Sequence, residues 1–244
     1  MTYCVAMRLN AGLVFLSDSR TNAGMDQIST FRKMSVFEKP GERVLVMLSA
    51  GNLAITQAVK QLLQHEFIEG PDGEPVTIWT AKTLFDVARI LGSAVRKVHA
   101  RDAEALKAFN IEFSASFILG GQIAGEAPRL FSIYAAGNFI EATPETPYFQ
   151  IGESKYGKPI IDRVLRPHTP LDEAAKCALI SMDSTIRSNL SVGLPLDLLT
   201  VKTDTLAVAL HQRIDASDAY FQMIRNGWSE ALRHAFDELP NPKL

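Results

Sequence analysis

Tyr3-Cys4-Val5-Ala6-Met7-Arg8-Leu9, then Asn10-Ala11-Gly12, then Leu13-Val14-Phe15-Leu16-Ser17-Asp18-Ser19 stand almost at the start of the chain. The outer runs favour β-structure and the three residues between them have the composition of a tight turn, so the spacing predicts an N-terminal hairpin. A turn about Asn10-Ala11 sets Thr2 opposite Ser19, with Asp18 and Arg20 as immediate neighbours. Asp18 has the parity of Val14 and Leu16, so its carboxylate continues an apolar stripe, where burial without a partner costs several kcal/mol. It needs a cation. Lys33 shares the parity of Phe31 and Phe37 and is also aimed at an apolar side, so the two can satisfy each other. In the alternative, Asp18 pairs with nearby Arg20 and Lys33 lies in water at the sheet edge. Spacing leaves both open.

Working outward, further strands are expected at 33–37, 43–49, 113–120, 129–135, 148–151, 196–202 and 206–213. Several are apolar on successive residues, as Val44-Leu45-Val46-Met47-Leu48 is, which suits sheets covered on both faces. Helical spacing runs over 52–69 behind the cap residue Asn52, and over 80–109, 173–188 and 218–238. The only polar spacer, 70–75, is too short to divide the chain, so one domain over 1–244 is expected. Strands grouped in blocks between helices predict an α+β fold, a four-layer αββα sandwich of two mainly antiparallel sheets flanked by helices.

The chain has 244 residues, 47% of them hydrophobic, enough for one large core, so disorder is excluded. With 25 Lys+Arg against 27 Asp+Glu the formal net charge is -2, which gives no electrostatic footprint for nucleic acid or an anionic membrane. No apolar run approaches the length of a membrane span and no signal-peptide pattern precedes the first strand, so a cytoplasmic protein is expected. The two cysteines, Cys4 and Cys177, read as reduced core thiols.

Chemistry gathers around residue 2. Met followed by a small residue is the usual substrate for initiator-methionine removal, which would give Thr2 a free α-amine. A threonine hydroxyl beside its own amine combines nucleophile and base, because an amine of pKa about 8, lower beside a lysine ammonium, accepts the proton near neutral pH. Lys33 would favour the developing alkoxide, and Asp18 would keep the lysine charged and oriented. The plain alternative is a second residue with no role. Further on, Ser49-Ala50-Gly51-Asn52 turns a strand into a helix. There Gly51 can bring an amide to a developing oxyanion, or serve packing alone.

Thr2-Tyr3-Cys4-Val5-Ala6, Ser17-Asp18-Ser19-Arg20-Thr21-Asn22-Ala23-Gly24, Phe31-Arg32-Lys33-Met34, Ser49-Ala50-Gly51-Asn52 and Gln150-Ile151-Gly152-Glu153-Ser154-Lys155-Tyr156-Gly157-Lys158-Pro159 together resemble the bacterial proteasome-type proteins called Anbu. These stand with proteasome β subunits and HslV among the N-terminal nucleophile hydrolases. The resemblance covers essentially the whole chain. It implies a threonine peptidase in which Thr2 is nucleophile and base, Asp18 and Lys33 its activating pair, and Gly51 the oxyanion amide. It further implies that Thr21 offers backbone to an extended peptide, Arg20 supports the Asp18 region, and Ser154 stands for the proteasome serine near the nucleophile. Proteasome subunits carry Arg-Asp-x-x-Ser-Gly where this chain reads Arg187-Ser188-Asn189-Leu190-Ser191-Val192, so the aspartate is missing and Ser191 alone matches beyond the arginine. Relatives form rings or ring-like stacks, which implies a homo-oligomer acting on peptide or protein. Whether an unfolding ATPase delivers substrate is not readable.

Other patterns carry less. Gly152 to Pro159 lacks the Ser or Thr of a phosphate-binding loop. The five histidines have no partner at metal-ligand spacing, so neither metal nor cofactor is expected. There is no Gly-x-Ser-x-Gly elbow. The function expected is peptide hydrolysis through an acyl-enzyme. Its rivals are a catalytically weak or silent assembly or peptide-binding protein of the same fold, and a small-amide acylase.

Overall fold

In the computed structural model, residues 2–22 and 28–243 are described; Met1, and Ala23 and Gly24 of the second segment quoted above, lie outside them. The first hairpin forms as its sequence predicts. Strand β1 (Tyr3–Leu9) pairs antiparallel with β2 (Gly12–Asp18) from Cys4 opposite Ser17 to Leu9 opposite Gly12, the register set by a turn at Asn10-Ala11. A small ribbon follows, β3 (Arg20–Asn22) with β4 (Ile28–Thr30). The chain passes Lys33 into β5 (Met34–Lys39), returns along β6 (Arg43–Gly51), and turns into helix α1 (Leu53–Leu63). A short hairpin, β7 (Phe67–Glu69) and β8 (Pro75–Thr77), leads to the long helix α2 (Leu84–Ala108). Next come β9 (Ala115–Ile123), β10 (Arg129–Ile133), β11 (Phe139–Glu141) and β12 (Tyr148–Gly152). Helices α3 (Lys158–Val164) and α4 (Leu171–Ser188), strands β13 (Leu196–Lys202) and β14 (Val208–Ile214), and helix α5 (Ala219–Asp237) complete the fold.

Two five-stranded antiparallel sheets result, in the orders β12-β1-β2-β13-β14 and β11-β10-β9-β6-β5. Because neighbouring side chains on a strand point to opposite faces, β1 and β2 feed two apolar layers at once. Cys4, Ala6, Leu13 and Phe15 pack between the sheets against Val44, Val46 and Ile118. Tyr3, Val5, Met7, Val14 and Leu16 pack outward against α4 residues such as Ala174, Cys177 and Ala178. The second sheet is covered in turn by α1 and α2 through Ile55, Val59, Leu91 and Val95. The layer order is therefore helix, sheet, sheet, helix, the four-layer sandwich expected.

The helix expected over 52–69 stops at Leu63, since the amides of His65 and Glu66 both turn back to the Leu62 carbonyl. Phe67 to Glu69 then pair with Pro75 to Thr77, which makes the polar 70–75 stretch the turn of a hairpin. The helix expected from residue 80 begins at Leu84, where the Thr83 hydroxyl caps the Asp86 amide. Helix α3 was not anticipated, because seven residues opened by a proline at the first turn show too little periodicity to read.

Candidate active site

Asp18 is the last residue of β2 and has no solvent exposure. The ammonium of Lys33 donates to both of its oxygens at 2.8 Å and to the Arg20 carbonyl at 2.7 Å. The Tyr3 amide donates to the same Oδ1 at 3.0 Å, and the Gly193 amide adds a further bond. The open question of its partner is thereby answered. Arg20 turns away and donates to the Leu190 carbonyl at 3.0 Å. Burial pushes the Asp18 carboxyl up from its ordinary value, and the Lys33 charge, then the Tyr3 and Gly193 amides, pull it back. Since lysine and Tyr3 amide share one carboxylate oxygen, the ion pair is fixed to the backbone one residue beyond Thr2.

Tyr3 is itself fixed. Its buried hydroxyl meets Ser181 on α4 and accepts from Gln150 Nε2 at 2.6 Å, and burial raises its pKa well above the usual range. Thr2 is half-buried, and its carbonyl accepts the Glu153 amide at 2.7 Å. Opposite Tyr3 lies Gly152, with φ +82°. A Cβ there would come within 1.9 Å of the Thr2 carbonyl oxygen, so only glycine fits.

Thr2, Lys33, Gly51, Arg20 and Thr21 line one cavity of about 720 Å³, a volume typical of ligand sites. Gly51 ends β6 with φ +114°, and a Cβ on it would meet the Ser114 carbonyl oxygen at 2.3 Å. The amides of Ser49 and Asn52 donate to opposite neighbours, Lys33 and Ser114. By strand alternation the Gly51 amide points with that of Ser49, away from β9 and toward the lysine side. Asn52 then caps α1, its side chain accepting from Ala54 and Ile55.

Two of the residues named from the sequence, Ser154 and Ser191, are not among those lining this cavity. Of the 152–154 segment it is Gly152 that lines the cavity, while the Ser154 amide bonds to the Gly152 carbonyl and its own carbonyl receives the Lys158 amide opening α3. Ser191 donates its amide to Asn189 Oδ1 at 2.9 Å. Asn189 in turn donates Nδ2 to Glu153 Oε2 at 3.0 Å, with Lys155 3.6 Å from the other oxygen. Glu153 thus places a buried carboxylate beside the 187–192 stretch that lacks the proteasome aspartate.

The loop from Asn189 to Pro195 closes over the end of β2, an arrangement the sequence reading did not find. Gly193 donates to Asp18, and the Ser19 amide and hydroxyl both donate to the Pro195 carbonyl. A Cβ on Gly193 would lie 2.4 Å from the Arg20 guanidinium carbon. A glycine followed shortly by a proline after a helix was the available signal. Between the sheets, Ser17 Oγ and both oxygens of Asp197, its cross-strand neighbour, are buried without a hydrogen-bond partner among the described residues. The cysteines are free and buried. Among the described residues no group of three or more His, Cys, Asp or Glu is arranged to hold a metal, and no helix is long and apolar enough to cross a membrane.

A helix-sheet-sheet-helix sandwich that presents residue 2 beside a buried lysine-aspartate pair defines a proteasome-like protein related to the N-terminal nucleophile hydrolases. Anbu (ancestral beta-subunit) from Yersinia bercovieri is 56% identical over 100% of both chains, with a TM-score of 0.90. An Anbu (Gly-1) mutant from Hyphomicrobium sp. strain MC1 is 50% identical over 100% of both, TM-score 0.91. Anbu from Pseudomonas aeruginosa, solved as a helical assembly, is 53% identical over 99% of this chain and 98% of that one, TM-score 0.89. The chain belongs to the Anbu family. No family model matches it, and no curated protein matches it.

Proposed function

We propose that this Anbu protein is a threonine peptidase, an amidohydrolase that cleaves peptide bonds through an acyl-enzyme on Thr2 once Met1 has been removed. Met1 itself lies outside the described residues. The observation that carries the reading is the shared Asp18 oxygen, which holds the Lys33 ammonium and the Tyr3 amide together. In the first half-reaction the α-amine of Thr2 takes the hydroxyl proton while the oxygen attacks the substrate carbonyl. Lys33 favours the developing negative charge, and the Gly51 amide faces the oxyanion. Collapse breaks the C–N bond, the ammonium returns its proton to the leaving amine, and an ester on Thr2 remains. Water then repeats the sequence, losing a proton to the amine as it attacks the ester, and releases the acid.

Thr21, in the β3–β4 ribbon on the cavity wall, suits an extended peptide running beside it. Arg20 ties the 189–195 loop to the end of β2, and Ser191 and Ser154 flank the Glu153–Asn189 bridge as supporting residues. The protein acts as a homo-oligomer, a ring or ring-like stack, in keeping with the helical assembly of the Pseudomonas aeruginosa relative. Its compartment is the cytoplasm, in keeping with two unpaired thiols. The test sets Thr2→Ala beside wild type on small amide, ester and peptide substrates, with turnover by wild type alone expected. Equal turnover by both removes Thr2 from the mechanism, and preference for simple acyl amides over peptides makes the enzyme an acylase.

One observation favours a silent, peptide-binding or scaffolding member instead, the absence of an aspartate from Arg187 to Val192. Intact mass separates the two. A chain that keeps Met1 has no threonine amine and supports the scaffold.

A further inference from the structure

The cavity beside Thr2 extends past the groups the reaction uses. Its wall runs along β5 and β6 to the buried Ser35 and Met47 and up one face of α1, where Thr56, Gln57 and Lys60 recur at helical spacing. Arg32 joins it from the segment before β5. Among the described residues of this lining, every charged one is basic: Arg20, Arg32, Lys33 and Lys60. Among the described residues only the Lys33 charge is met by a carboxylate, since Asp18 stands behind it. Arg20 bonds to a backbone carbonyl, and among the described residues the side chains of Arg32 and Lys60 have no ion-pair or hydrogen-bond partner. The chain as a whole carries a formal charge of -2, so this excess of positive charge is local to the cavity. A cleft lined by one sign of charge concentrates ligands of the other, and does so most where its walls are of low dielectric.

We infer that the cavity receives an acidic side chain, aspartate or glutamate, on the substrate residue whose carbonyl Thr2 attacks. The inference rests on the threonine-hydrolase reading and names its substrate class. Arg32 and Lys60 are the specificity-determining residues, and Ser35 and Gln57 bring uncharged donors to the same space.

The experiment uses the full-length protein and fluorogenic peptides identical except for Glu, Leu or Lys before the scissile bond. The kcat/KM order is Glu above Leu above Lys, each step on the order of tenfold at low salt and smaller at high salt. Arg32→Glu with Lys60→Glu inverts the Glu-to-Lys order, and because both side chains are exposed the variant melts with wild type. Preference for Leu or Lys in wild type, or an order unmoved by the charge reversal, overturns the inference. Electrophilic peptides with the same three residues separate the two levels. Thr2 adducts that form equally with all three refute the acidic preference and leave the hydrolase standing, whereas neither turnover nor adduct with any peptide removes both.

Discussion

Replacing Lys33 by methionine keeps an unbranched side chain of similar length and removes the charge. The partner left behind is Asp18, which has no exposure, while the lysine side chain itself is only 8% exposed, so solvent gives little screening on either side. Breaking a buried ion pair from one end costs about 3–5 kcal/mol. For a domain of this size that lowers Tm by roughly 6–20 °C. The remaining amides of Tyr3 and Gly193 still donate to the carboxylate and set the cost toward the lower end. Without the lysine nothing of comparable strength opposes desolvation, so the folded-state pKa of Asp18 rises further above its unfolded value of about 3.9. A carboxyl raised in the folded state loses stability as pH climbs through its folded pKa. The deficit against wild type is therefore largest near neutral pH and narrows as pH falls toward the ordinary carboxylate range. Asp18→Asn added to Lys33→Met removes the stranded charge and restores part of the loss. The assay is thermal unfolding of wild type, single and double variants at equal subunit concentration, because assembly itself shifts Tm. A Lys33→Met protein that melts within a degree or two of wild type at neutral pH refutes the reasoning, as does a double variant less stable than the single.

Gly152→Ala meets the Thr2 carbonyl oxygen and a positive φ together, so it costs about 2 kcal/mol or more; Tm and adduct formation at Thr2 both fall, and an unchanged protein contradicts the packing described. Burial pushes the Cys177 thiol up to about 11 and that of Cys4 higher still, so iodoacetamide leaves the native protein unlabelled near neutral pH and modifies two thiols after denaturation. Asp197→Asn replaces a buried side-chain carboxyl that lacks a partner among the described residues with an amide able to donate to Ser17 across the strands; Tm at neutral pH rises by a few degrees, about 1–3 kcal/mol, and a fall in Tm contradicts this reasoning.

The sheets were legible because their strands announce themselves twice. Runs such as Val44 to Leu48 are apolar on successive residues, and both faces are indeed covered. The hairpin turn fixed the register that brings Asp18 beside Tyr3. Short elements were not legible: β7 and β8 each have three residues, and their pairing is decided by contact between them rather than by pattern. The Asp18–Lys33 pair needed the structure, because parity also allowed Arg20. What decides it is the Leu190 carbonyl, 170 residues along the chain, which holds the Arg20 guanidinium. The positions of Gly152 and Gly193 depend likewise on close approach between distant segments, and one residue's identity does not reveal what its Cβ would strike.

The most direct measurement of the central claim is the mass-spectrometric location of a covalent adduct from an electrophilic peptide on the purified protein. The account predicts a single adduct on Thr2, in a chain that has lost Met1, and its loss in Lys33→Met. An adduct on another residue, or a chain that keeps Met1 and turns over substrate as well as the processed one, contradicts it.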